Sequence, residues 1–190
     1  VLRSEDGQAA HAEFSAPVRP KRGASVRPEL VAAALGLGPD ELVAEDGLPA
    51  DCSTGLPFLV VELASRAALA RAGMRGTGEG LSPASEGRVY LFTRDAVGSR
   101  ADLRARMFAP AHGNGEDAAT GSAAAALAGY LGGQPGLADG WHAWRIAQGV
   151  EMGRPSLIEA RAQRKAAEVA EVRIGGQAVP VAEGTIEVDA

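Results

Sequence analysis

Leu103, Ala105 and Met107 alternate with Arg104, Arg106 and Phe108, a period of two that predicts a half-buried strand over 103–109. Leu56 to Ala64 is rich in Phe, Val and Leu between Gly55 and Ser65, and predicts a buried strand. Arg88 to Asp95 predicts a partner that folds back on 103–109 as a hairpin. Leu2 to Phe14 predicts a short hairpin about Asp6-Gly7, and 16–27, with Pro17 and Pro20, a crossover linker. Pro28 suits the first position of a helix running to about Leu35, with Gly36 and Gly38 ending it. Leu42 to Ala44 predicts a short strand. Ser65 predicts the cap of a two-turn helix through Ala70, stopped by Gly73, and Gly76 to Gly87 a loop. From Thr120 to Leu131 the chain is nearly all Ala, Leu and Gly, so a helix of roughly 18 Å with no polar face is expected, buried on all sides. Its small residues let a sheet wrap closely around it, and Gly132-Gly133 stops it. Further strands are predicted at 141–148, 156–162, 168–174, 178–181 and 185–188, with Gly175-Gly176 as a hairpin turn. The whole predicts an α+β fold of antiparallel strands rolled around a central helix.

Composition narrows the partners. A net charge of −5 with scattered Lys and Arg forms no basic stripe and argues against nucleic acid or an anionic membrane surface. Cys52 is the only cysteine, so no internal disulfide forms and an oxidising compartment is not implied. No apolar run approaches the length of a membrane span, and the expected location is cytoplasmic.

The candidate chemistry lies in Gly113-Asn-Gly-Glu-Asp-Ala-Ala-Thr-Gly-Ser122. Two adjacent carboxylates, Glu116 and Asp117, are expected on a loop just ahead of the helix that opens with Thr120, Gly121 and Ser122. Free backbone N–H groups at a helix start attract an anion such as a carboxylate. An acid/base group beside such a socket is the minimum equipment for proton transfer next to a bound carboxylate. The same pattern also describes a plain helix cap, and both readings stand on the residues alone. A phosphate-cradling loop does not fit, because Gly121 is followed by Ser122 with no Lys between, and two acids repel phosphate. His112 is a single histidine beside these acids, too few for a transition-metal site, so no metal is expected. Arg154 suits pairing with a carboxylate or an interface contact, and Trp141 and Trp144 suit packing or dimer contacts.

Glu116-Asp-Ala-Ala-Thr-Gly-Ser-Ala123, preceded by Arg106-Met-Phe-Ala-Pro110, resembles the second-lobe signature of the PhzF-like phenazine-biosynthesis family. Gln148-Gly-Val-Glu-Met-Gly-Arg-Pro-Ser156 and Ser53-Thr-Gly-Leu-Pro-Phe-Leu-Val60 are similar to two further segments of that family, in the same order. Ala118 stands where the family usually has Pro. The resemblance implies a diaminopimelate-epimerase-like fold and a cofactor-independent isomerase or epimerase acting on a small carboxylic acid. It implies Asp117 as the proton-handling group, with Thr120, Gly121, Ser122 and Glu116 around the substrate, Glu116 by orienting the loop. A homodimer is expected. The family's Gly-His-Pro-Thr motif and first-lobe Glu do not occur here. Residues 1–20 are therefore expected to be the tail of a first lobe and 21–190 the C-terminal lobe, the C-terminal two thirds of a two-lobed protein. The rival reading is a non-catalytic lobe that binds a small anion or dimerises.

Overall fold

The computed structural model describes residues 2–3, 10–44, 47–98, 100–179, 182 and 184–187. Its centre is α3 (Gly121–Gly132), and every residue from Ala123 to Gly132 is buried. One sheet curls around this helix in the order β1 (Leu2–Arg3), β2 (Ala10–Ser15), β12 (Glu168–Ala178), β11 (Ser156–Lys165), β10 (Gly140–Gln148), β8 (Leu103–Ala109), β7 (Val89–Thr93), β6 (Pro57–Leu63), β5 (Ala50–Ser53) and β3 (Lys21–Ser25). β4 (Leu42–Val43) pairs with β6, and β9 (Asn114–Asp117) with β8. α3 touches β11 and β12 on one side and β5 and β6 on the other, which makes the sheet a roll. Most pairs are antiparallel as expected, but β6–β7 and β8–β10 run parallel. The roll is therefore mixed.

Glycine sets how closely the sheet approaches the helix. A Cβ on Gly132 would lie 2.7 Å from the Ala162 Cβ on β11, and one on Gly129 only 2.5 Å from the Pro20 Cβ. Outside the roll lie α1 (Pro28–Leu35) and α2 (Arg66–Arg71). Strands β6 and β7 are consequently covered on both faces. Phe58, Val60, Tyr90 and Phe92 pack inward with α3, while Leu59, Val61, Val89 and Leu91 pack outward against α1 and α2. Burial on two faces explains why these strands are continuous apolar runs and not alternating ones.

The helix ends follow the expected signals. Pro28 opens α1 and Gly36, at φ 72°, closes it, while the Ser65 hydroxyl accepts from the Ala68 N–H at the start of α2. β1 and β2 pair as an antiparallel hairpin whose Asp6-Gly7 turn lies outside the described residues. The expected boundary at residue 20 falls within the one sheet, since β2 is hydrogen-bonded to β12.

Four expectations are corrected. The 16–27 linker contains an edge strand, β3, whose five exposed residues carry no apolar alternation to betray it. The Glu116-Asp117 loop is a strand. Thr185–Val188 shows no strand among its described residues 185–187. Gly175-Gly176 is no turn: β12 runs straight through it. Gly175 is instead a close-approach glycine, because a Cβ there would lie 3.0 Å from the Ala12 carbonyl oxygen of β2.

Gly132→Val tests the tight roll. Forcing a branched side chain against Ala162 is expected to cost about 1–3 kcal/mol, against a few tenths returned by helix propensity. A urea midpoint equal to that of wild type would show that the helix and β11 have room to part.

Candidate active site

β8 leads through a 3₁₀ turn, Pro110–His112, into β9, which folds back on β8 with Phe108 opposite Glu116 and Met107 opposite Asp117. Successive strand residues face opposite sides, and this separates the two neighbouring acids. Glu116 faces outward, as Phe108 does, and Asp117 inward, as Met107 does.

Glu116 is held by Arg106. The guanidinium Nε donates to Oε1 at 2.7 Å and Nη2 to Oε2 at 2.8 Å, a two-pronged bond between side chains 10% and 17% exposed. Arg106 Nη1 also donates to the carbonyls of Leu69 and Ala72 at the end of α2, and the guanidinium lies 4.7 Å over the Phe108 ring. Glu116 thus anchors β9 to the outer layer and lines none of the cavities beside Asp117.

Asp117 is half-buried, and its Oδ2 accepts from the Thr120 hydroxyl at 2.7 Å. Behind it stands Gln148, the last residue of β10 and wholly buried. Its Nε2 donates to the Asp117 carbonyl at 2.8 Å and to Thr120 Oγ1 at 3.0 Å. Its Oε1 accepts from Tyr90 Oη at 3.1 Å and from the Thr120 N–H at 3.3 Å. One side-chain amide thereby uses all four of its bonding positions to fix the turn between β9 and α3. Gly149 completes the junction: at φ 76°, a Cβ there would lie 2.4 Å from the Arg154 carbonyl oxygen and 2.6 Å from that of Ala118. Only glycine lets those two backbones close in. The Ser156 hydroxyl adds a bond to the Ala118 carbonyl at 3.3 Å.

Thr120 occupies the N-cap position of α3, yet its side chain makes no cap bond. The hydroxyl is directed to Asp117, and the first intrahelical bond is that from the Ala124 N–H to the Thr120 carbonyl. The first-turn amides of Gly121, Ser122 and Ala123 are therefore left without a side-chain acceptor from their own cap. This is the arrangement in which a helix start receives an external anion.

Two cavities meet at this corner. An open one of about 570 Å³ is lined by Asp117, Ala118, Ala119, Arg154, Pro155 and Ser156. The second, of about 680 Å³, shares Ala119 and Ser156 and adds Gly121, Arg100 and the apolar walls of Phe14, Leu157 and Ile174. Asp117 and Gly121 are thus brought to the two sides of Ala119. Ser122 is exposed and lines neither.

Arg154 stands at the mouth with Asp117. His112 lies apart, its Nε2 2.9 Å from both Arg88 Nη1 and the Glu86 carbonyl. Trp141 lies under the guanidinium groups of Arg161 and Arg173, and Trp144 packs on the core. Among the described residues no group of three His, Cys, Asp or Glu is arranged to hold a metal, and no helix is long and apolar enough to cross a membrane. Cys52 is 2% exposed, and burial pushes its thiol up to about 12.

Sequence reasoning missed Gln148 as a structural keystone, although the Gln148-Gly149 pair was visible in the segment that carried the resemblance. The available signal was a polar residue two places after Ile146, on the inward-facing parity of β10.

Comparisons with known proteins name the family of this roll around an Ala-rich helix. The chain belongs to the phenazine biosynthesis-like protein family, PhzC-PhzF, matched over residues 1–184. It is 35% identical to an uncharacterised isomerase of Mesorhizobium japonicum over 98% of this chain and 63% of that protein. It is 48% identical to the trans-2,3-dihydro-3-hydroxyanthranilate isomerase of Pseudomonas chlororaphis over 44% of this chain and 30% of that enzyme. A PhzF-family phenazine biosynthesis protein of Bacillus anthracis superimposes with a TM-score of 0.82 over 98% of this chain and 64% of that one, at 16% identity, a likeness of fold alone. A predicted epimerase of Pseudomonas aeruginosa matches with a TM-score of 0.70 at 28% identity, over 96% of this chain and 62% of that one. The chain therefore spans less than two thirds of the length of these relatives.

Gln148→Leu removes the partner of Tyr90 Oη, the Thr120 N–H and the Asp117 carbonyl at once. It is expected to lower unfolding free energy by about 1–3 kcal/mol, read from urea denaturation. A loss no larger than that of a substitution at exposed Leu157 would show that the amide does not hold the turn. Cys52 is expected to resist iodoacetamide at pH 8 in the folded protein and to alkylate at once in urea, because only the thiolate attacks. Equal labelling in both states would contradict the burial.

Proposed function

We propose that this chain contributes an acid/base carboxylate and an anion socket to a cofactor-independent isomerase or epimerase acting on a small carboxylic acid. The observation that carries the reading is the Thr120 hydroxyl, which bonds Asp117 and leaves the α3 amides uncapped. The substrate carboxylate accepts from the first-turn amides that begin at Gly121, which lines the larger cavity. Asp117 then transfers a proton at the adjacent carbon. Negative charge that develops on the substrate is stabilised by the same amides and by Arg154, which lines the same cavity as Asp117.

Names of relatives support this class. One is a trans-2,3-dihydro-3-hydroxyanthranilate isomerase, which makes a hydroxylated ring carboxylic acid the first substrate to try. The second carboxylate that the resemblance implies is not among the residues lining this cavity. Asp117 is therefore assigned one proton transfer, and the other is assigned to a group from the part of the relatives' length that this chain does not span.

The test is solvent-deuterium exchange into trans-2,3-dihydro-3-hydroxyanthranilate and related small acids, followed by mass spectrometry. Asp117→Asn, folded by circular dichroism, is expected to slow exchange by on the order of 10²–10⁴. Exchange at the wild-type rate would remove Asp117 from the mechanism. Saturable binding of the acids by wild type with no exchange would favour the non-catalytic lobe.

A further inference from the structure

At the far end of α3 a third cavity, of about 510 Å³, is lined by groups that the proton-transfer site does not use. Its size lies within the range of small-molecule sites. The floor is apolar and close-packed: Pro20 sits on Gly129, Val169 lies beside Gly133, and the Cys52 thiol, kept neutral by burial, acts as a small hydrophobic wall. The rim is cationic. Arg19 and Arg22 flank it on one short segment pinned by Pro20, Lys21 facing the other side of β3, and Glu168 is the one carboxylate in the lining. A positive balance thus remains at a concave site in a chain whose total is −5.

These cations are exposed, and among the described residues they form no ion pair, while Arg88, Arg104, Arg106, Arg161, Arg164 and Arg173 all do. Complementing the negative end of the helix is the plain structural role for basic groups at this place. That role is already filled: buried Arg164 donates to the Gly132 carbonyl at 2.9 Å. Arg22 is oriented independently, its guanidinium 5.7 Å over the Tyr130 ring and closed in by Gly47.

We propose that this cavity is a second ligand site, which binds a small organic anion by its phosphate or carboxylate group between Arg19 and Arg22, with the organic body on the Pro20–Val169 floor. Two forked guanidinium groups suit either oxyanion. The site is independent of the chemistry at Asp117, which lies at the opposite end of a twelve-residue helix.

The experiment is isothermal titration calorimetry of the chain with phenyl phosphate, benzoate and inorganic phosphate. Phenyl phosphate or benzoate is expected to bind saturably, and whichever binds tighter identifies the source of the anionic group. Arg19→Glu/Arg22→Glu, both exposed, is expected to weaken that binding by on the order of tenfold or more, with Asp117→Asn leaving it unchanged. Arg19→Gln/Arg22→Gln replaces the charge reversal if the latter does not fold. No saturation by either organic probe up to about 10 mM, in the range of the weakest specific binding, would overturn the proposal. So would equal affinity in the substituted protein, or inorganic phosphate binding as tightly as phenyl phosphate. A changed affinity on Asp117→Asn, tighter once the acid's repulsion is removed, would show that the probe occupies the other site.

Discussion

A helix with no polar face can exist in water only if something surrounds it completely, and the rest of this fold follows from that constraint. Ala123 to Leu131 offers small side chains in every direction, so burial gains little per residue and has to be gained on all sides. A curled sheet does this where one flat layer would not. Pro20 over Gly129 and Ala162 against Gly132 show how far the approach has gone: at both places not one further methyl group fits. Only the two ends of such a helix remain open to solvent. Both cavity systems of interest lie there, and neither is cut into the flank of the roll.

The N-terminal end shows how a structural element becomes available for chemistry. A threonine at the N-cap ordinarily bonds its own helix. Here Gln148 holds Thr120 from behind by both backbone and hydroxyl, and that hydroxyl is turned to Asp117. The cap is given up, and the first-turn amides are left without a side-chain acceptor from it. Because Gln148 and Gly149 come from the end of β10 while Asp117 and Thr120 flank the start of α3, two sequence segments thirty residues apart act as one unit. Burial of the Gln148 amide is tolerable because each of its bonds is made.

Much of this was legible beforehand where the signal was local. Pro28 and Gly36 bracket α1 as their backbone preferences demand, Ser65 caps α2, and the apolar run 120–131 could be nothing but a buried helix. Signals that depend on the third dimension misled. Glycine marks either a turn or a close neighbour, and Gly175 is the second kind because β2 crosses it, a fact that no window of sequence contains. The Glu116-Asp117 pair looked like a loop because its residues have poor strand propensity, yet Arg106, on the same outward face of neighbouring β8, holds Glu116 in a strand. Adjacent carboxylates suggested one acidic site; the pleat sends them to different faces, one to structure and one to the cavity. Only three-dimensional placement separates those roles.

The two ends of α3 also impose different terms on any anion. At the N-terminus the helix itself attracts negative charge, so a single carboxylate and two amides are enough, and the acid beside them is the repulsive element to be offset by Arg154. At the C-terminus the helix repels negative charge, by an amount on the order of 0.3–1 kcal/mol within the last turn. Arg164 removes part of that by covering the Gly132 carbonyl, and the two rim guanidinium groups must supply the remainder with Glu168 working against them. Coulomb attraction grows with ligand charge as fast as the repulsion does, but the cations outnumber the opposing charges. The balance therefore improves with each added negative charge on the ligand. A doubly charged phosphate ester gains more there than a single carboxylate. The two ends of one helix thus admit an anion on different terms, one through its own amides and the other only through the cations around it.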